Sequence, residues 1–262
     1  MNLSAVLEHI ETNLAGDLSL AVLAQRVGAS AYHFHRAFHA AVGEPPNQYV
    51  RRVRLEAAAT RLKLSNRSVT DIAFGVGYRS HEGFTRAFST RFGASPQRFR
   101  AALPVPVLPP GFSPRIESLP RRRVAYVRYV GPYDRTAETF ERLAAWAARR
   151  GLLGGAVLAR YQDDQDITVP ERTRCEVALV VGEGCAGEGN VGVREIPGGD
   201  YAVFSHAGNV LERRSFYEAA FRAWLPSIGR RPTGAPPFEV YAVTPRGVDQ
   251  ASTRIHIPLR PR

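Results

Sequence analysis

Lysine occurs once in the 262 residues, at Lys63, cysteine twice, at Cys175 and Cys185, and methionine only at the first position. Two cysteines cannot build a disulfide framework, so both are expected as reduced thiols. No apolar run approaches the roughly 20 residues a membrane helix needs, which excludes a helical span. The opening stretch MNLSAVLEHIETNL has acidic residues where an export signal needs a basic flank and an apolar run, which predicts a cytoplasmic protein. There is no phosphate-cradling glycine loop, no cluster of metal-ligand residues and no G-x-S-x-G turn, so neither a cofactor nor a metal is expected. Disorder is excluded as well, because 44% hydrophobic and 10% aromatic residues suffice for real cores.

The chain does have positive charge, +11 with histidine neutral, nearly all of it arginine. A heavy arginine bias often reflects a GC-rich genome, yet a balance this basic also favours a polyanionic partner. Residues 1–110 hold 13 basic and 7 acidic side chains, making them more basic per residue than the remainder. At 103–110 the sequence reads LPVPVLPP, whose four prolines stop helices and stiffen the chain. A Pro-rich linker at 103–111 between domains at 1–102 and 112–262 follows.

Both parts repeat internally. In the first, Ala24, Gly28, Phe34, Arg36, Phe38, Gly43, Pro46 and Tyr49 return as Ala73, Gly77, Phe84, Arg86, Phe88, Gly93, Pro96 and Phe99. The offset grows from 49 to 50 within the second turn. In the second, the strand-turn-helix pattern of residues 124–146 returns at 201–224, with Gly131 on Gly208 and Glu141 on Glu218. Pseudo-symmetric pairs of units are expected in each part.

Each copy in the first part reads as a helix-turn-helix unit. Ser19 is placed to cap one helix, Gly28 makes the tight turn, and Ser30 caps the next, AYHFHRAFHAAV. Phe34 and Phe38, at i and i+4, face inward and leave Tyr32, His33, His35, Arg36 and His39 outside. In the second copy Ser68 and Asp71 form a capping-box-like start, Gly77 turns and Ser80 caps HEGFTRAFSTRF. That leaves His81, Glu82, Thr85 and Arg86 outside. About 18 helix-compatible residues separate the units, a rod of roughly 27 Å. Such a rod holds two recognition helices about one DNA turn (~34 Å) apart. Arg36 and Arg86 suit the guanine O6/N7 edge, Glu82 suits cytosine N4 or an orienting role toward Arg86, and the caps at Ser30 and Ser80 suit phosphates. Arg51, Arg52 and Arg54 read as a solvated or phosphate-facing stripe. His35 and His39 have a chelating spacing, but no nearby cysteine or carboxylate completes a metal site.

These residues, above all DIAFGVGYRSHEGFTRAFSTRFGASPQRFR at 71–100, resemble the AraC/XylS family of bacterial transcription regulators. The resemblance spans residues 2–101 and implies base contacts from Tyr32, His35 and Arg36 and from His81, Glu82, Thr85 and Arg86. It implies a protein that is nucleoid-associated when bound to double-stranded DNA.

Residues 112–262 alternate like short strands, interrupted by helices at about 134–149 and 211–224. An antiparallel sheet with helices on one side is expected, so the fold class is an all-α tandem helix-turn-helix domain followed by an α+β domain. The segments VAYVRYVGPYDRTAETFERLAAW, GGDYAVFSHAG, PPFEVY and the final IHIPL resemble the GyrI-like effector-binding domain, placed last as in the Rob-type arrangement. The resemblance implies two strand-helix-strand-strand units around a central cleft. In multidrug-responsive relatives, aromatic rings and one buried glutamate there bind bulky organic cations, and the glutamate position corresponds to Glu239.

Period-2 alternation independently puts Glu239 and Tyr241 on one strand face and Phe238 and Val240 on the other. Trp146 and Trp224 hold nearly equivalent repeat positions and line either the cleft or the cores. Glu239 is a ligand carboxylate or an arginine-paired strand residue; Glu176 is a second candidate or a structural group. Where the family shows Gly-Pro-Tyr in both repeats, the second copy here has Gly208-Asn209-Val210. The combined reading is a non-enzymatic, DNA-binding regulator with a small-molecule sensor for an aromatic or cationic effector. Its rivals are a GyrI-like hydrolase or drug-sequestering activity using Glu239, and a protein-binding surface, for example for RNA polymerase.

Overall fold

The computed structural model describes residues 3–208, 213–244 and 247–261, and the chain divides into two compact units, Met1–Pro104 and Val105–Arg262.

The first unit is all helix: α1 (Leu3–Thr12), α2 (Leu20–Arg26), α3 (Ala31–Val42), α4 (Pro46–Leu64), α5 (Val69–Gly75), α6 (His81–Phe92) and α7 (Pro96–Ala101). Helix α1, not anticipated from the repeat, buries Val6 and Ile10 against Leu23, Phe34 and Phe38. The Ser30 and Ser80 hydroxyls accept from the N–H groups of His33 and Gly83, and Ser68 accepts from Asp71. Ser19 holds the N-cap position of α2 without a side-chain bond, and its own N–H donates to Asp17 instead. Glycine closes both turns at positive φ, +63° at Gly28 and +88° at Gly77. At Gly77 a Cβ would lie 2.2 Å from the Leu14 carbonyl oxygen, so the backbone approach itself requires glycine.

Helix α4 starts on Pro46, has no glycine, and at 19 residues spans about 28 Å. Its arginines fasten the unit rather than form a free stripe. Arg52 binds Glu44 at 2.6 Å and Glu56 at 2.9 Å, and Arg54 donates to the carbonyls of Leu14 and Gly16. Only Arg51 of the three is left exposed by the fold. The expectation for Arg52 and Arg54 is thereby corrected: buried carboxylates and loop carbonyls compete for their guanidinium groups more effectively than water does.

The second unit is an eight-stranded antiparallel sheet in the order β1-β6-β8-β7-β3-β4-β2-β5. The strands are β1 (Arg115–Leu119), β2 (Arg122–Val130), β3 (Val157–Tyr161), β4 (Arg174–Val180), β5 (Val191–Ile196), β6 (Gly199–Ala207), β7 (Phe238–Thr244) and β8 (Gly247–Pro258). Helix α8 (Ala137–Ala148) packs on one half of the sheet, and α9 (Arg213–Ala219) on the other.

The repeat is longer than the sequence pattern showed. An offset of 77 carries β1 onto β5 and β2 onto β6; 78 carries β4 onto β8; 80 carries β3 onto β7. Each half lends its first strand to the other: β1 pairs with β6, and β5 with β2. Pro120 lies in the break between β1 and β2 and Pro197 in the break between β5 and β6, and the two breaks lie close together, since a Cβ on Gly198 would lie 2.7 Å from the Arg121 nitrogen. The second repeat's extra residue is absorbed in a π-helical turn at Ala220–Trp224, a one-residue insertion that leaves the helix otherwise continuous.

Candidate functional site

Phe34 and Phe38 in α3, and Phe84 and Phe88 in α6, are fully buried. These pairs turn the opposite face of each helix outward. On α3 this face carries Tyr32, Arg36 and His39 exposed and His35 half-buried. Arg36 is held by its neighbour one turn back: Nη1 donates to the Tyr32 hydroxyl at 3.3 Å, and the guanidinium lies 5.6 Å from that ring's centre. On α6, His81, Glu82, Thr85 and Arg86 together line one shallow depression of about 480 Å³. The Thr85 hydroxyl there is buried and has no hydrogen-bond partner among the described residues. The structure thus gathers the sequence-predicted residues of each copy onto one helix face.

In the second unit, Glu239 and Tyr241 share the helix-side face of β7. Glu239 is 2% exposed and accepts three hydrogen bonds. Arg213 Nη1 lies 2.6 Å and the Tyr241 hydroxyl 2.9 Å from Oε2, and the Tyr217 hydroxyl lies 3.0 Å from Oε1. The Tyr161 hydroxyl meets that of Tyr241 at 2.7 Å. Since the Tyr241 proton goes to the carboxylate, Tyr161 is the donor in that pair. Phe140 stands edge-on to Tyr241 at 5.7 Å. Burial pushes the Glu239 carboxyl above its ordinary range, with Arg213 and the two hydroxyls pulling it back. Burial also pushes the hydroxyls of Tyr161, Tyr217 and Tyr241 up, which keeps all three protonated as donors.

Other sequence-nominated groups do not join this cluster. Glu176 lies on the opposite face of the sheet, bound by Arg160 and Arg194 at 3.0 Å each. Its register neighbour Val177, not Glu176, shares the Glu239 face, because strand alternation separates consecutive residues. Trp146 is buried with Phe140, Leu143 and Tyr241, and its indole N–H has no acceptor among the described residues. Trp224 packs half-buried in a different cluster with Phe216 and Leu225. The π-helical turn at Ala220–Trp224 shifts it out of step with Trp146. Asn209 and Val210, where the second repeat departs from the family pattern, lie outside the described residues.

Sequence reasoning missed Arg213, Tyr217, Tyr161 and Phe140. The repeat held the signal, since the offset of 77 puts Tyr217 on Phe140 and Arg213 on Thr136. Cys175, with its thiol pushed up to about 12 by burial, and Cys185 are both free. No group of three or more metal-ligating side chains occurs among the described residues, and no helix there is long and apolar enough to cross a membrane.

Comparison with known proteins divides the chain at the same place. Residues 112–260 match the GyrI-like small molecule binding domain, and residues 23–102 match a helix-turn-helix domain. Among curated proteins, the chain is 38% identical over 98 residues to the HTH-type transcriptional activator AarP of Providencia stuartii, covering 37% of this chain and 73% of AarP. It is 32% identical over 100 residues to the multiple antibiotic resistance protein MarA of Escherichia coli, covering 38% of this chain and 79% of MarA. Among solved structures, the EcmrR C-terminal domain superposes with a TM-score of 0.44 at 17% identity, over 57% of this chain and 98% of that domain. The chain belongs to the AraC family of DNA-binding transcription regulators and carries a GyrI-like small molecule binding domain after its helix-turn-helix region.

Proposed function

We propose that α3 and α6 read two major-groove segments of one duplex and that a small molecule bound near Glu239 modulates the outcome. The observation that carries the DNA half is the pair of matched helix faces, Tyr32, His35 and Arg36 on one and His81, Glu82, Thr85 and Arg86 on the other. Arg36 and Arg86 read base edges, and the capped N-termini at Ser30 and Ser80 meet phosphate oxygens. Footprinting on a selected operator tests this: two protected segments one turn apart are expected, and a single short segment would show that only one unit reads DNA.

For the sensor half, support comes from the rings of Tyr161, Tyr217, Tyr241 and Phe140 around one polar centre, with the unaccepted Trp146 indole N–H packed in the same cluster as Tyr241. The expected effector is aromatic. A general base must reach its substrate's proton, and Glu239, enclosed by three donors, is disposed to bind and orient rather than to turn over a substrate. A thermal-shift screen of aromatic compounds, with product analysis, checks this. A ligand at 100-fold excess over its Kd stabilises the unit by about 2.7 kcal/mol. Turnover of the compound would favour the hydrolase reading, and stabilisation by RNA polymerase alone would favour a protein-binding surface.

A further inference from the structure

Glu239 sits where the two halves of the sheet meet, directly opposite Ala159, its counterpart under the repeat. Only the second half therefore brings a carboxylate to the shared centre, and only the second half brings a guanidinium, since Arg213 replaces the Thr136 of the first. Arg213 is 4% exposed, 2.6 Å from the carboxylate, with its guanidinium carbon 5.6 Å from the centre of the Tyr241 ring. A carboxylate in reach and an aromatic face alongside are what an organic cation would seek in such a site. Here the chain's own side chain holds both.

We infer that Arg213 is a built-in cation that sets the specificity of this site: it excludes organic cations and leaves the tyrosine-lined region to neutral aromatic ligands. The inference rests on the reading that the Glu239 cluster is the effector site. A positive ligand entering with Arg213 in place would face a carboxylate already neutralised and a second positive charge beside it. A neutral ring meets no such repulsion and has four aromatic side chains to pack against.

The test uses the full-length protein and a matched pair of probes, the cation tetraphenylphosphonium and the neutral triphenylphosphine oxide, in equilibrium dialysis. Arg213→Met keeps the length of the stem and removes the charge. The cation is expected to bind Arg213→Met at least tenfold more tightly than the wild type, while affinity for the neutral probe changes less than threefold. Adding Glu239→Gln to Arg213→Met should abolish the gain, because no charge remains to attract the cation. Tight cation binding by the wild type, or no gain in Arg213→Met, overturns the inference. Failure of neutral aromatic compounds to bind the wild type instead counts against the effector-site reading itself.

A second measurement guards against poor folding of the single variant. If Arg213 compensates Glu239, then Glu239→Gln should raise the melting temperature in the Arg213→Met background and lower it in the wild type. The same sign in both backgrounds would show that the two side chains are not paired in this way, and would equally overturn the assignment.

Discussion

The two halves of the second unit share their strand registers, apart from an irregularity after Tyr241 in the β7–β8 ladder, yet differ in chemistry at the positions that matter. Arg194 of β5 reaches Glu176 of β4 at 3.0 Å; at the corresponding positions of the other half, Glu117 of β1 meets Arg254 of β8 at 2.9 Å. The ion pair is retained with its sign reversed, and in both halves it fastens the exchanged strand to the body of the sheet. Leu158 and Ala178 in the first half become Phe238 and His256 in the second, stacked ring on ring at 4.6 Å. Ala159 and Thr136 become Glu239 and Arg213. The lesson is that a backbone register tolerates large changes of side chain where the new residues arrive as mutually satisfied pairs, so one copy can acquire polar chemistry while the other supplies the frame.

The first unit shows the other outcome, in which both copies keep a polar outer face. The sharpest way to break its apparent equivalence is at the turn glycines. Gly77→Ala places a methyl group against the Leu14 carbonyl oxygen at a positive φ and should destabilise the protein by about 4 kcal/mol. At Gly28 nothing lies within 4 Å of the added Cβ, so Gly28→Ala should cost only the left-handed penalty of about 1 kcal/mol. Urea unfolding of the two variants checks this, and equal losses would refute the claim that the copies differ at the turn.

The reversed ion pairs make the next test. Glu176 has a side-chain exposure of 3% and holds two arginines of 14% and 15%. Glu176→Gln leaves those guanidinium groups undercompensated and should cost about 3 kcal/mol. Glu117 and Arg254 are exposed to 23% and 47%, so Glu117→Gln should cost under about 1 kcal/mol. Denaturation midpoints of the two variants give the ratio directly.

His256 provides a contrast in pH dependence, since its counterpart Ala178 cannot titrate. Burial, with Arg254 and Arg122 nearby, lowers the His256 pKa from 6.5 to about 4. Because the folded value lies below the unfolded one, the unfolded chain binds the proton first, and stability falls as pH drops from about 6.5 toward 4. The loss through this group is up to about 3 kcal/mol. In His256→Gln the slope of stability between pH 7 and 4 should flatten correspondingly, while an unchanged slope would place the acid sensitivity elsewhere.

Much of the frame was legible in the sequence because repeats and capping residues are local signals. Gly28, Ser30, Ser80 and the Phe34/Phe38 spacing determined the helical units, and period-2 alternation determined the faces of β7. Strands β1, β3 and β5 were not legible. Their partners are set by long-range pairing across the two halves, and five-residue runs such as Arg115–Leu119 carry too little pattern to distinguish an edge strand from a loop. The Glu239 cluster was half legible for the same reason: Tyr241 is two residues away, whereas Arg213 and Tyr217 arrive on a helix 22 or more residues distant.

The smallest expected differences lie between the two recognition helices, where Tyr32 and Arg36 of the first copy correspond to Glu82 and Arg86 of the second. Arg36→Ala and Arg86→Ala should each weaken specific DNA binding by about 1–3 kcal/mol, the range for losing a bidentate guanine contact, and relax preference at base positions one turn apart. Tyr32→Phe removes the hydroxyl that holds Arg36 at 3.3 Å but keeps the ring beneath the guanidinium, so a loss of about 0.5–1 kcal/mol is expected. Glu82→Gln acts in the opposite sense on non-specific DNA, because it removes a negative charge that phosphates repel. The gain should be under about 1 kcal/mol and should shrink as salt rises, since the charge is exposed and screened. Competition gel shifts at two salt concentrations measure all four. Weaker non-specific binding by Glu82→Gln would mean that Glu82 acts chiefly by orienting Arg86, so that the second copy uses a carboxylate for the task the first gives to Tyr32.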